Sequence, residues 1–218
     1  MDLILLAAGN SSRFKRKIPK YLLPMADGRP MIAHAIEPFL DQVDQIHIVI
    51  QNMHNDKFNA IKTINAAMGS RAGILTLPSF TNGPAETASR VCRFLGNLPV
   101  FIKDCDSFFN AKLPVGNFVC TTEHTENDLS KSYVTHKHGS ITGLEGKTPV
   151  GTTISTGGYG FAKASSFIKA YDILEHTREL YISDVINLLL EKEKFDILPV
   201  DNYQYVGVPK LYNSIINR

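Results

Sequence analysis

Cysteine is scarce in this chain, charge of one sign is scarce, and no apolar run is long. Cys92, Cys105 and Cys120 are the three cysteines of 218 residues, widely spaced and without a C-x-x-C pair. An odd number with no framework excludes a disulfide scaffold and suits a reducing, cytoplasmic setting. The first apolar run, residues 3–7, is too short to cross a bilayer, and neither a basic flank nor a cleavage-like site accompanies it. No signal segment and no membrane partner are therefore expected. A formal net charge of +2, from 23 basic against 21 acidic residues, leaves no global field to recruit nucleic acid. Any anion must be bound locally. G-x-x-x-x-G-K-[ST] and G-x-G-x-x-G are both missing, which excludes the P-loop and dinucleotide fingerprints. A nucleophile elbow and H-E-x-x-H are missing as well.

What is present begins at the third residue. The apolar run at 3–7 suits a strand buried on both faces, where polar alternation is not needed. It leads into Ala8-Gly9-Asn10-Ser11-Ser12, whose small side chains let backbone N–H groups approach an anion, while Arg13 and Lys20 add fixed charge. The stretch reads as a nucleoside-triphosphate site. Further strand-like runs fall at 46–50, 73–77, 99–103 and 117–122. Helical spacing separates them: Ile32, Ala35, Ile36, Phe39 and Leu40 share one face, interrupted by Pro38, and Phe58, Ile61, Ile64 and Met68 share another, ending near Gly69. A third helix fits 85–94. Such alternation predicts an α/β, Rossmann-like fold with a mostly parallel mixed sheet and helices on both faces. Residues 123–160, polar and rich in Thr, Ser, Gly and His, read as irregular strands and loops. Helices at 164–175 and 182–192 and a strand at 195–200 follow. With no repeat, linker or low-complexity tract, the chain is expected to form one domain over 1–218.

Leu6-Ala7-Ala8-Gly9-Asn10-Ser11-Ser12-Arg13-Phe14 followed by Pro19-Lys20-Tyr21-Leu22-Leu23-Pro24-Met25 resembles the signature of the nucleotidyltransferases that activate sugar phosphates and related phosphate monoesters. That signature is roughly L-A-A-G-x-[GS]-[ST]-R-[FML], then P-K-x-L-[LV]-P-[MIV]. Small members serving capsule or surface-polysaccharide synthesis are comparable in size. The resemblance implies a nucleotide-binding half at 1–122 and an acceptor half at 123–218. It implies that Arg13 meets the β and γ phosphates, that Lys20 meets phosphate at the reacting end, and that Leu6, Ala7, Ala8 and Gly9 line the base. Asn82-Gly83-Pro84-Ala85-Glu86 looks like the second nucleotide loop, with Gly83 and Ala85 against the base; Glu86 either joins them or caps a helix.

The strand at 99–103 ends in Asp104-Cys105-Asp106, and Asp106 matches the family's metal-binding aspartate. Mg²⁺ takes oxygen ligands and needs only one or two carboxylates beside substrate phosphates. Asp104 lies on the same pleat face, either as a ligand or behind one. Gly157-Gly158-Tyr159-Gly160-Phe161 resembles the family's G-x-Y-x-F strand, which places Gly158 and Tyr159 at the acceptor, and Lys147 falls where an acceptor-phosphate lysine belongs. One departure stands out: in Tyr203-Gln204-Tyr205-Val206-Gly207-Val208-Pro209, Tyr205 occupies the place of a second metal-binding aspartate. Asp201 is the expected substitute ligand, whereas Asp184 is expected to cap its helix. His136 and His138 are expected to face solvent.

The implied reaction is NTP plus a phosphate monoester giving a nucleotide-diphospho product and pyrophosphate, with Mg²⁺. CTP or UTP and a sugar phosphate are favoured. A non-sugar acceptor such as a phosphocholine-like or phospho-amino-acid group is the alternative, as is a non-catalytic nucleotide-binding module. A glycosyltransferase of the same general fold would have no reason to keep the signature. A homo-oligomer stays open.

Overall fold

Leu3, Ile4 and Leu5 are wholly buried because β1 (Asp2–Leu6) has a strand on each side and helices on each face. Its side chains alternate between two apolar layers: Leu3 and Leu5 pack into one, Ile4 and Leu6 into the other. This computed structural model describes residues 1–14, 18–124, 131–146 and 148–216.

After the signature loop come α1 (Met31–Ile36), β2 (Ile46–Gln51), α2 (Asn52–Phe58), α3 (Ala60–Met68), β3 (Ala72–Leu77), α4 (Pro84–Leu95) and β4 (Val100–Asp104). Pro38 converts the end of the first amphipathic pattern into a 3-10 turn at Glu37–Phe39. The second pattern is divided at Asn59, whose left-handed backbone (φ 50°) separates α2 from α3. Asparagine is among the few side chains that tolerate this conformation. β5 (Ser107–Asn110), β6 (Phe118–Glu123), β7 (Ser132–Lys137), β8 (Ser140–Gly146) and β9 (Thr153–Phe161) follow, then α5 (Ala164–Ile173), α6 (Ile182–Leu189), β10 (Asp196–Pro199), β11 (Asp201–Tyr205) and α7 (Pro209–Ile216).

Nine strands form one sheet in the order β3-β2-β1-β4-β9-β6-β10-β8-β7, and β11 pairs with β5 beside it. The first four strands are parallel; β9 runs antiparallel between β4 and β6. The stretch expected to be irregular therefore supplies β7, β8 and β9, and β9 is central. Its Thr, Ser and Gly content lacks the branched apolar side chains that mark a buried strand. Small residues are required there: a β-carbon at Gly160 would collide with the Phe118 ring, and one at Gly158 would press on Phe109 and Cys120. α1 and α3 cover one face of the sheet, and α4, α5 and α6 the other. Among the described residues no helix is long and apolar enough to cross a membrane.

A third cluster joins Phe14, Leu23 and Met25 of the signature loop to Val206 and Tyr212. The Tyr212 hydroxyl donates to the Pro24 carbonyl at 2.5 Å, and its ring meets Phe14 edge-on. The loop after β1 is thus clamped by the C-terminal segment.

Candidate active site

β1 and β4 are parallel neighbours in register, Leu6 opposite Asp104, so the signature loop and the Asp104–Asp106 turn leave the same sheet edge side by side. Ligands of open α/β sheets bind at such carboxyl ends. A cleft of about 450 Å³ lies there, floored by Leu6, Ala7, Ala8 and Gly9. The loop is braced from below, where the buried Gln51 amide donates to the Ala8 carbonyl at 2.9 Å. Ser11 adopts φ 55°, a left-handed backbone at the position where the signature allows glycine. Its hydroxyl accepts from the Lys20 backbone N–H at 3.0 Å, a local bond that offsets a strain of about 1–2 kcal/mol.

The Lys20 ammonium donates to Asp106 Oδ2 at 2.5 Å. Burial disfavours both charges, yet each partner more than offsets it for the other: Lys20 is held above its usual range and Asp106 below the usual carboxylate range. Asp104 behaves oppositely. Burial and the neighbouring Asp106 charge raise its pKa to about 6. Beneath the turn the fully buried Lys103 donates to the Asp104 carbonyl at 2.9 Å and to the Ser107 carbonyl and hydroxyl at 2.5 and 2.8 Å. Desolvation lowers its pKa to about 8. Gly157, at φ 82°, passes so close to the Asp104 carboxylate that a β-carbon would collide with it.

Tyr205 stands directly beside Asp106, since a β-carbon at Gly207 would strike the Tyr205 ring and the Asp106 carboxylate together. Its hydroxyl accepts from Arg13 Nη1 at 3.1 Å, and the Lys131 ammonium sits 3.8 Å from its ring centroid. Burial, then the Asp106 charge, pushes the phenol up to about 12 and keeps it neutral.

Residues 3–117, more than half of the chain, match the MobA-like NTP transferase domain. The chain belongs to that family. No curated protein matches the sequence. In fold it is similar to the nucleoside-diphosphate-sugar pyrophosphorylase of Vibrio cholerae RC9, with a TM-score of 0.85 and 20% identity across all of both chains. The inositol-1-phosphate CTP transferase of T. maritima gives 0.82 at 13% identity, over 98% of this chain and 91% of that one. A UDP-glucose pyrophosphorylase complexed with UDP-glucose gives 0.78 at 17% identity, over 99% and 97%. The NTP transferase therefore has the α/β architecture of nucleotide-diphospho-sugar transferases.

In this NTP transferase the cleft brings together Arg13, Lys20, Asp106, Gly83, Tyr159 and the four floor residues. Four expected positions fall elsewhere. Ala85, in the first turn of α4, faces the core, its N–H donating to the Leu180 carbonyl, and is not among the residues lining the cleft. Glu86 accepts from the Asn82 N–H at 2.7 Å and pairs with Arg90, so it ties the loop before α4 to the helix and is not among the residues lining the cleft. Gly158 alternates with Gly157 and Tyr159 along β9 and points into the opposite layer. Asp201 is exposed and pairs with Asn110, whereas Tyr205 pairs with Ser107, and an irregularity in β11 separates the two. It is not brought to Asp106. Lys147 lies outside the described residues. Asp184 caps α6, accepting from the Tyr181 N–H at 2.7 Å, and His136 and His138 are exposed, as their spacing suggested.

Among the described residues no group of three or more His, Cys, Asp and Glu forms a metal cage. Asp106, with Asp104 behind it, still fits Mg²⁺, which keeps its waters and takes most remaining ligands from phosphates. Sequence reasoning missed Lys131 and Tyr203, both in the cleft wall. Lys131 sits in no recognisable motif, Tyr203 opens the Tyr203–Pro209 stretch in which Tyr205 alone drew notice, and the sheet topology carries both there.

Proposed function

We propose that this NTP transferase moves the nucleoside monophosphate of CTP or UTP onto the phosphate of a small phosphorylated acceptor, a sugar phosphate first, and releases pyrophosphate. The observation that carries the reading is the Lys20–Asp106 pair at the mouth of β1 and β4, framed by the signature loop. The pyrophosphorylases and the CTP transferase that share the fold support the substrate class. A phosphocholine-like or phospho-amino-acid acceptor is the alternative, favoured by Tyr205 in place of a carboxylate.

The acceptor phosphate is largely a dianion at neutral pH, with a second pKa of about 6, so it needs no general base. The residues bring two polyanions together and balance the charge that moves between them. Arg13 meets the outer phosphates of the triphosphate, the floor backbone holds the base, and Lys20 shifts its hydrogen bond from Asp106 to a phosphate oxygen at the reacting end. Asp106, with Asp104 behind it, would hold Mg²⁺, which when bound supplies charge neutralisation between the two phosphates.

The test is pyrophosphate release from a panel of NTPs and phosphate monoesters, with Mg²⁺ or EDTA. Release should require an NTP and an acceptor together and should stop with EDTA. Release from one nucleotide without an acceptor would refute the transfer reaction. Tyr205 also motivates a second reading, a non-catalytic nucleotide-binding module. Tight NTP binding without release across the panel would favour it.

A further inference from the structure

We propose that His54 positions the Lys20 turn for the transfer step by holding the Tyr21 hydroxyl from behind the cleft. The proposal rests on the transfer reaction above and adds to it a residue that does not line the cleft. Lys20 opens a single 3-10 turn, Lys20–Leu22, and so short an element does not fix its own place. Tyr21, the next residue, is buried in the apolar layer beneath, and its hydroxyl is hydrogen-bonded to His54 Nδ1 at 3.3 Å. His54, on α2, is buried as well. Burial lowers its pKa, so the imidazole is neutral and offers one donor and one acceptor nitrogen.

A phenyl ring and an aliphatic side chain would fill the same layer and leave no polar group to satisfy. What the hydroxyl and the imidazole add is direction, because apolar contact has none and a hydrogen bond does. The start of α2 makes a second bond of this kind. Gln51, the residue just before the helix, donates to the Ala8 carbonyl. One helix end therefore holds the cleft floor through Gln51 and the lysine turn through His54. The floor and Lys20 belong to separate parts of the signature, and this shared anchor fixes the spacing between them. That spacing decides where the ammonium stands relative to Asp106 and to a phosphate on the floor. A displacement of about 1 Å in such a group costs up to about a hundredfold in rate.

Steady-state kinetics of pyrophosphate release and thermal unfolding, read on the same variants, test this. His54→Leu and Tyr21→Phe should each lower kcat about tenfold and leave the NTP KM within about twofold, because Lys20 acts at the reacting end. Each also strands one buried polar partner, so its thermal midpoint should fall. The double variant Tyr21→Phe/His54→Leu strands neither. Its midpoint should recover while kcat stays low. In His54→Asn the amide takes the place of Nδ1, and kcat should return toward the wild-type value. In His54→Gln the amide takes the place of Nε2, and kcat should not return. If His54→Leu fails to fold, the double variant and His54→Asn carry the comparison. Recovery of kcat together with the midpoint in the double variant assigns the pair to stability alone and overturns the proposal. Wild-type turnover with kcat unmoved by these changes also overturns it and spares the transfer reaction. No wild-type release with any NTP and phosphate monoester removes the transfer reaction and the His54 assignment together.

Discussion

The two walls of the cleft are built on different principles. The wall at the ends of β1 and β4 is backbone and small residues, with its charge set by the Lys20–Asp106 pair and braced from beneath by Gln51 and Lys103. The facing wall, from β7, β9 and β11, is side chain: Tyr159, Tyr203, Tyr205 and Lys131. A backbone wall recognises what every nucleoside triphosphate shares and tolerates little change, because its contacts depend on chain path. A side-chain wall can be altered one residue at a time without moving a strand. Under the proposed transfer, the first would serve the common substrate and the second the variable one.

The largest effect should come from the charges of the backbone wall. Lys20→Met and Asp106→Ala should each lower kcat by about a hundred- to a thousandfold, the scale of removing one preorganised charge partner from a reacting centre. Far-UV circular dichroism should stay native. Combining Lys20→Met with Asp106→Asn removes both charges, so the thermal midpoint should recover relative to Lys20→Met while turnover does not. Full activity in any of these would erase the division between the walls.

Gly207 sits at the seam, where Tyr205 of one wall meets Asp106 of the other. Gly207→Ala inserts a methyl group between them. It should cost about 1–3 kcal/mol in chemical denaturation and at least tenfold in kcat/KM for both substrates. A change confined to one substrate would show that the walls move independently.

How much of this was legible depends on whether a function is written locally. The parallel strands, α4 and the signature loop follow from short apolar runs and a contiguous motif, and Lys20 and Asp106 stand out as candidates because each lies in one. Gly158, Ala85 and Glu86 lie in motifs too, yet residue parity along β9 and the packing of α4 turn them away from the cleft. Lys131 carries no local signal. It reaches the site because β7 returns to the sheet next to β8 and touches β9 through Tyr133 and Ile154. Pairings of that kind are long-range, and one sequence does not spell them out. The backbone wall was therefore readable, and of the side-chain wall only Tyr159 and Tyr205, which lie in contiguous motifs, were.

A pH measurement sharpens the contrast from inside the backbone wall. Asp104 has a folded pKa near 6, raised above the ordinary carboxylate value by burial and by Asp106. The folded state therefore holds a proton there that the unfolded chain releases. This group's contribution to stability grows as pH falls through about 6 and levels off near the unfolded value of about 4. Asp106 has the opposite sign: its contribution is complete above the unfolded value and is lost as pH falls through its depressed folded pKa. In buffer without divalent ions, Asp104→Asn should therefore be most stabilising at neutral pH and lose that advantage between pH 6 and 4. An advantage independent of pH would mean that Asp104 is not held protonated by its surroundings.

The smallest effect is expected at Asp201, and its smallness is informative. Its carboxylate is exposed, and β11 pairs it with Asn110 rather than with Ser107, the partner of Tyr205. Its substitution should shift stability by no more than about 0.5 kcal/mol, as for other surface positions without special contacts. Asp201→Asn should leave the Mg²⁺ concentration for half-maximal pyrophosphate release unchanged, whereas Asp106→Asn should raise it steeply if any activity survives. An Asp201→Asn shift approaching that of Asp106→Asn would require β11 to slide toward the cleft when substrates bind. Tyr205 would then leave its place beside Asp106, and the aromatic wall would be a resting arrangement rather than the surface that receives the acceptor. An unchanged Mg²⁺ midpoint leaves Asp106, at the turn after β4, as the protein's carboxylate ligand in the cleft, with Tyr205 a neutral neighbour beside it.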